Sequence, residues 1–102
     1  MDDRDEVATV LNRVRATLSW HRHEAESLER EAIGGGGFEL LERLSSRAAL
    51  WRRIATAALM RDDLPLAREL SGLAARADSI AEAVARRALR SVDAPAHSSP
   101  SK

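Results

Sequence analysis

Three stretches of this chain repeat their apolar residues in alternating steps of four and three. Val7, Leu11, Val14, Leu18, His21, Ala25, Leu28 and Ala32 make the first stripe. Leu40, Leu41, Leu44, Ala48, Trp51, Ile54, Ala55, Ala58 and Leu59 make the second, and Leu66, Leu70, Leu73, Ala77, Ile80, Val84 and Ala88 the third. With 3.6 residues per turn, such steps return to one face of a helix, whereas a strand changes face at every residue. The pattern therefore predicts helices over about 3–32, 38–61 and 64–91, and an all-α fold.

The flanks of the stripes carry helix-end chemistry. Asp2, Asp3, Asp5 and Glu6 sit where a helix N-terminus favours negative charge. Gly34 offers a left-handed C-cap at the start of a four-glycine loop, 34–37. Asp62 and Asp63 are candidate N-caps for the third helix, and Pro65 falls in its first turn, where a missing N–H costs nothing. At 1.5 Å per residue the helices come to about 45, 36 and 40 Å. Similar lengths and short connections imply an antiparallel up-down-up three-helix bundle over residues 1–91, with long helices crossing as in a coiled coil. Residues 92–102 are rich in Pro and Ser, lack periodicity and read as a disordered tail.

Hydrophobic residues make up 44% of the 102, but aromatics only 3%, so the core must be aliphatic and alanine-rich. No cysteine is present, which removes disulfides and thiolate metal sites. Sixteen basic and sixteen acidic side chains balance to zero, so no global field draws the chain to nucleic acid or membrane. No apolar run approaches a membrane span, and the acidic start is the wrong flank for a signal peptide. Arginine outnumbers lysine fifteen to one in this alanine-rich sequence, the usage of a GC-rich bacterial genome. These features together place the chain in a bacterial cytoplasm.

Residues 48–79 resemble a single tetratricopeptide-type helical hairpin. With Ala67 as the small residue opening its second helix, Trp51 takes the first aromatic position. Ile54 and Ala55 match the Leu-Gly pair and Ala74 the second small residue, while Ala58, Ser71 and Ser79 depart from the pattern. The resemblance implies a tightly packed antiparallel hairpin. A second resemblance lies at 23–27, "HEAES", which is similar to the phosphoacceptor box of dimerising histidine kinases. It implies His23 as phosphoacceptor, Glu24 as acid/base and Ser27 as the residue that orients the reaction. Leu28 stands where that box has proline.

Other chemistry has little to work with. His21 and His23 lie two residues apart on a helix, so they point to nearly opposite sides and cannot chelate one metal. His21, at the edge of the core stripe, reads as a half-buried histidine bonded to the neighbouring Glu24. The glycine run is preceded by a helix and followed by Phe38-Glu39, so it is no phosphate loop of the Walker type. It reads as a loose hairpin loop or as an engineered connector. No cofactor or metal site is expected.

Binding has more. Arg76, Arg86, Arg87 and Arg90 cluster on the outer side of the third helix, a docking strip for an acidic partner helix; nucleic acid is a weaker alternative because Asp78 and Glu82 dilute the strip. Trp20 lies about 120° from the centre of the first stripe, near Ala16, His23 and Ser27. A tryptophan off the core face is what an interaction hot spot looks like. The sequence thus predicts a non-catalytic adaptor, chaperone or regulatory module. It would dock a helical protein, or a second copy of itself, through helix 1, with phosphotransfer through His23 as the rival.

Overall fold

The computed structural model describes the backbone of residues 3–98 and the side chains of residues 6–90. Four helices follow one another: α1 Asp3–Ala16, α2 Leu18–Ile33, α3 Phe38–Met60 and α4 Leu64–Ser98. Among the described residues there is no strand. The all-α class holds, but the bundle has four helices, because the expected first helix is broken at Thr17.

Thr17 sits at φ −110°, ψ 21°, outside helical geometry. Its hydroxyl donates to the Arg13 carbonyl at 2.9 Å and reaches the Val14 carbonyl at 3.3 Å. Its amide is shared between the same two carbonyls, at 3.0 and 3.1 Å. Such back-bonding bends helices. The register of the bundle explains why a bend is favoured. His21 stands opposite Trp51, and Glu31 opposite Arg43. Continued straight, that antiparallel register would carry Leu11 and Val7 past Met60, the last residue of α3. Nor would α4 receive them, since it begins level with Arg15, which is ion-paired to Asp63. The bend returns α1 to α3, so that Leu11 and Val14 are buried and Val7 packs against the core. Burying Leu11 and Val14 contributes about 1.5–3 kcal/mol each. That outweighs a disturbed helical hydrogen bond, at about 1 kcal/mol.

α3 and α4 approach each other more closely than any other pair. Ala48, Ala55 and Ala58 on α3 and Ala67, Ala74 and Ala77 on α4 are all buried, and their small side chains let the two backbones close up. Trp51 is fully buried at the centre. Two expected core residues turn out of it: Leu59 is 55% exposed and Ala88 is exposed. Leu59 follows buried Ala58 and turns to the outer side of α3 with Thr56, towards Leu64; Ala88 lies one turn beyond Val84, the last buried residue of α4 among those described.

The loops correct three expectations. Gly34 is right-handed, at φ −76°, and the positive φ angles fall on Gly35 (135°) and Gly36 (65°). α2 therefore takes one more residue than expected before the chain turns. Asp62 is not an N-cap but a left-handed residue at φ 60°. Its amide bonds the Leu59 carbonyl and that of Asp63 bonds Ala58, which closes α3 in a Schellman motif. Asp63 alone caps α4, its Oδ1 accepting from the Leu66 amide at 3.4 Å. At its far end α4 runs on through residues 92–98, where the sequence suggested disorder. Alanines at 94 and 96 favour helix there, against Pro95, which removes a donor and disfavours a helix interior. Residues 99–102 of that tail, and Asp2 of the N-terminal acids, lie outside the described residues.

Candidate docking surface around Trp20

His21 is buried, and its Nδ1 accepts a 3.0 Å hydrogen bond from the Trp51 indole N–H. That bond fixes the tautomer, because an accepting Nδ1 leaves the proton on Nε2 of a neutral ring. Burial, and then the charge of Arg47, hold the His21 pKa below its ordinary value, with Glu24 pulling weakly the other way. The expected partner, Glu24, is engaged elsewhere: its carboxylate accepts from Arg47 Nε at 3.2 Å.

These contacts position Trp20. Its ring meets the edge of His21 at 5.1 Å between centroids, and the Arg47 guanidinium lies 5.4 Å from the ring centroid. The side chain is half exposed all the same, at 50%. A chain of five residues therefore runs from core to surface: Trp51 holds His21, His21 props Trp20, Arg47 covers one part of it, and Glu24 fixes Arg47. Trp20 presents an apolar surface whose orientation is already set.

The contacts of Trp20 are with His21 and Arg47, not with the residues grouped with it by sequence. Ala16 and His23 are exposed, and Ser27 is half-buried. His23 lies 3.9 Å from Glu26, while Glu24, the acid a phosphoacceptor box would use, is tied to Arg47. The arginine strip is divided. Arg76 pairs with Glu29 across to α2, and Arg87 donates to the Ala32 carbonyl at 2.8 Å, capping the end of α2. Arg86 and Arg90 remain exposed. Two members of the expected strip are thus inter-helix fasteners, because α4 turns the Arg76 and Arg87 side towards α2.

Sequence reasoning missed the α3 side of the surface. Arg47 is one turn before Trp51, so once Trp51 faces His21, Arg47 meets the turn of α2 that carries Glu24, from where its guanidinium reaches Trp20. That signal becomes readable only when helix register is known. Beyond Arg47 lie two open recesses along α3. One, of about 550 Å³, is lined by Glu24, Glu39, Glu42, Arg43, Ser46, Arg47 and Leu50. The other, of about 400 Å³, runs between α1 and α3 past Val7, Val10, Leu50, Ile54 and Ala57.

Among the described residues no helix is long and apolar enough to cross a membrane. No protein-family model, no curated protein and no solved structure matches the chain.

Proposed function

We propose that this chain is a small helical protein-interaction module that docks a partner protein on the α2–α3 side, with Trp20 as its anchor. One observation carries the reading: a half-exposed tryptophan held in a fixed orientation by Arg47 and His21. Interface anchors are enriched in tryptophan, and a side chain already held in place gives up less rotamer entropy on binding. Ala16, His23 and Ser27 would form the margin of the contact.

The first test compares the wild-type chain with Trp20→Ala as baits in the native host. Circular dichroism and thermal melting should change little, because the lost side chain is half solvated. A partner retained by the wild type should be lost from the variant, since truncating an anchor costs about 2 kcal/mol or more, some thirtyfold in affinity. Identical partners on both baits would sink the assignment of Trp20. The phosphotransfer rival has its own readout: acid-labile phosphate on the wild type, absent from His23→Gln, would replace this reading with that one.

A further inference from the structure

Both tryptophans of the chain rest on one imidazole. The Trp51 indole donates to His21 Nδ1 at 3.0 Å, and the half-exposed Trp20 ring stands against the same imidazole at 5.1 Å between centroids. His21 is itself buried, and among the described residues it is the one polar side chain in the core. The bond from Trp51 exists only while Nδ1 is bare, because an imidazolium carries a proton on each nitrogen and accepts nothing. Trp51 is fully buried, so once that acceptor is lost its N–H is out of reach of solvent. Two buried donors facing one another are costly. A folded chain that takes a proton on His21 must therefore move this ring.

The surrounding charges leave the moving ring one carboxylate. On α2, Glu24 follows His21 by three residues, one turn along the same side of the helix. On α3, Arg47 holds Glu24 through Nε at 3.2 Å and lies over the Trp20 ring at 5.4 Å. Level with the Arg22–Glu69 pair, α4 buries Leu66, Leu70 and Leu73, and its acid there, Glu69, is held by Arg22. Arg15, at the end of α1, is paired with Asp63; on α3, Arg43 is paired with Glu31 and Arg52 with Asp78. His23 is exposed and faces Glu26. Burial and then Arg47 depress the His21 pKa, while Glu24 opposes them. A protonated His21 thus sets two cations, itself and Arg47, beside the single carboxylate of Glu24.

We propose that His21 is a proton-operated latch on Trp20. The protonated ring gives up the Trp51 bond and draws Glu24 away from Arg47, so that Trp20 loses both the imidazole edge and the guanidinium that orient it. The bond from an imidazolium to Glu24 is charge-assisted on both sides, as is the Arg47–Glu24 bond it replaces. The Glu24 and Arg47 side chains are 25% and 33% exposed, so water can take up the released guanidinium. Above the transition Trp20 is presented in one orientation. Below it the indole is free to change rotamer, and an interface has to order it anew. The latch is a property of the free chain. Its bearing on binding rests on the reading of Trp20 as docking anchor, which it extends to a partner held at neutral pH and released in mild acid.

Nuclear magnetic resonance of the full chain tests the latch, because its two indole N–H signals report the two ends. Between pH 7.5 and 5 the Trp51 signal should leave its hydrogen-bonded position. The Trp20 signal should move with the same midpoint, below about 6.5. The amides of Leu44 and Leu70 should meanwhile keep their folded positions. His21→Gln, whose amide oxygen accepts at either pH, should remove both shifts, and His23→Gln should leave them. Glu24→Gln frees Arg47 without a proton, so at pH 7.5 it should bring the Trp20 signal towards its acidic position and leave that of Trp51 bonded. It should also lower the midpoint, since the imidazolium loses its carboxylate. Indole signals that stay in place while the chain remains folded overturn the proposal. So do shifts that survive His21→Gln, or a Glu24→Gln chain that matches the wild type in midpoint and in the Trp20 signal at pH 7.5. Loss of the folded Leu44 and Leu70 positions along with the indole shifts also overturns it, because the proton then unfolds the chain. Docking at Trp20 is judged separately, by partner retention on Trp20→Ala, and survives each of these failures.

Discussion

The residue that most tightly joins stability to the surface is His21. Its Nδ1 must accept from Trp51, so the folded chain holds it neutral, and burial lowers its pKa. The unfolded chain carries the ordinary histidine pKa of about 6.5. As pH falls through that value the unfolded state takes up a proton that the folded state refuses, so stability present at pH 7.5 declines progressively below about 6.5. Denaturant titrations at pH 7.5, 6.5 and 5.5 should show the decline. His21→Gln, whose amide oxygen can still accept from the Trp51 indole, should flatten the curve in this window. Parallel curves for the two proteins would place the titrating group elsewhere. The same residue marks the limit of reading single residues from sequence. Its place in the core stripe was legible from spacing, but its partner was not. Glu24 is the nearer residue in sequence, and only the register between α2 and α3 brings Trp51 to the imidazole while Arg47 draws Glu24 away.

At the scale of elements, the glycine loop separates what is required from what is permitted. Gly35 and Gly36 occupy positive φ, where a Cβ is strained, and a Cβ on Gly36 would come within 2.3 Å of Leu40 Cδ2. Gly34 is right-handed, with only ordinary contacts around the place of a Cβ. Gly34→Ala should therefore stabilise the protein by about 0.5–1 kcal/mol, and Gly36→Ala should destabilise it by about 1–2 kcal/mol. Chemical denaturation of the pair measures both, and equal effects would mean that the loop does not hold this backbone. The identity of the helices was legible because apolar spacing is set by helical period, and period is local. Thr17 was not legible as a break. Its neighbours Val14 and Leu18 keep the four-three rhythm, and the bend is chosen by where α3 and α4 end. Arg76 and Arg87 were misplaced for a related reason: they are polar and so read as outward, yet α4 turns that side towards Glu29 and the end of α2. The two recesses on α3 were illegible altogether, since each exists only where α3 meets another part of the chain.

As a whole the molecule measures 69 × 22 × 21 Å, a rod in which cooperativity must be passed along helices and not through one central core. Its two ends are supported unequally. α3 and α4 share the alanine seam and α2 is fastened to α4 by Arg22–Glu69 and Arg76–Glu29, whereas among its described side chains α1 buries only Leu11 and Val14. The Arg15–Asp63 pair beside the Thr17 bend is half exposed on its Arg15 side, and such surface pairs contribute at most about 1 kcal/mol. Stability in such a structure is graded, and the segment with the fewest buried apolar contacts opens first. Native-state hydrogen exchange should therefore find the α1 amides opening at a lower free energy than those of α3 and α4. Leu11→Ala removes one of the two buried anchors and should cost α1 about 2–5 kcal/mol of protection, while amides around Leu44, Trp51 and Leu70 keep theirs. If the variant lowers protection uniformly from α1 to α4, the rod is one cooperative unit and the bend at Thr17 is merely geometric. If only α1 responds, that helix opens separately from the rest of the rod, and the recess it forms with α3 opens with it.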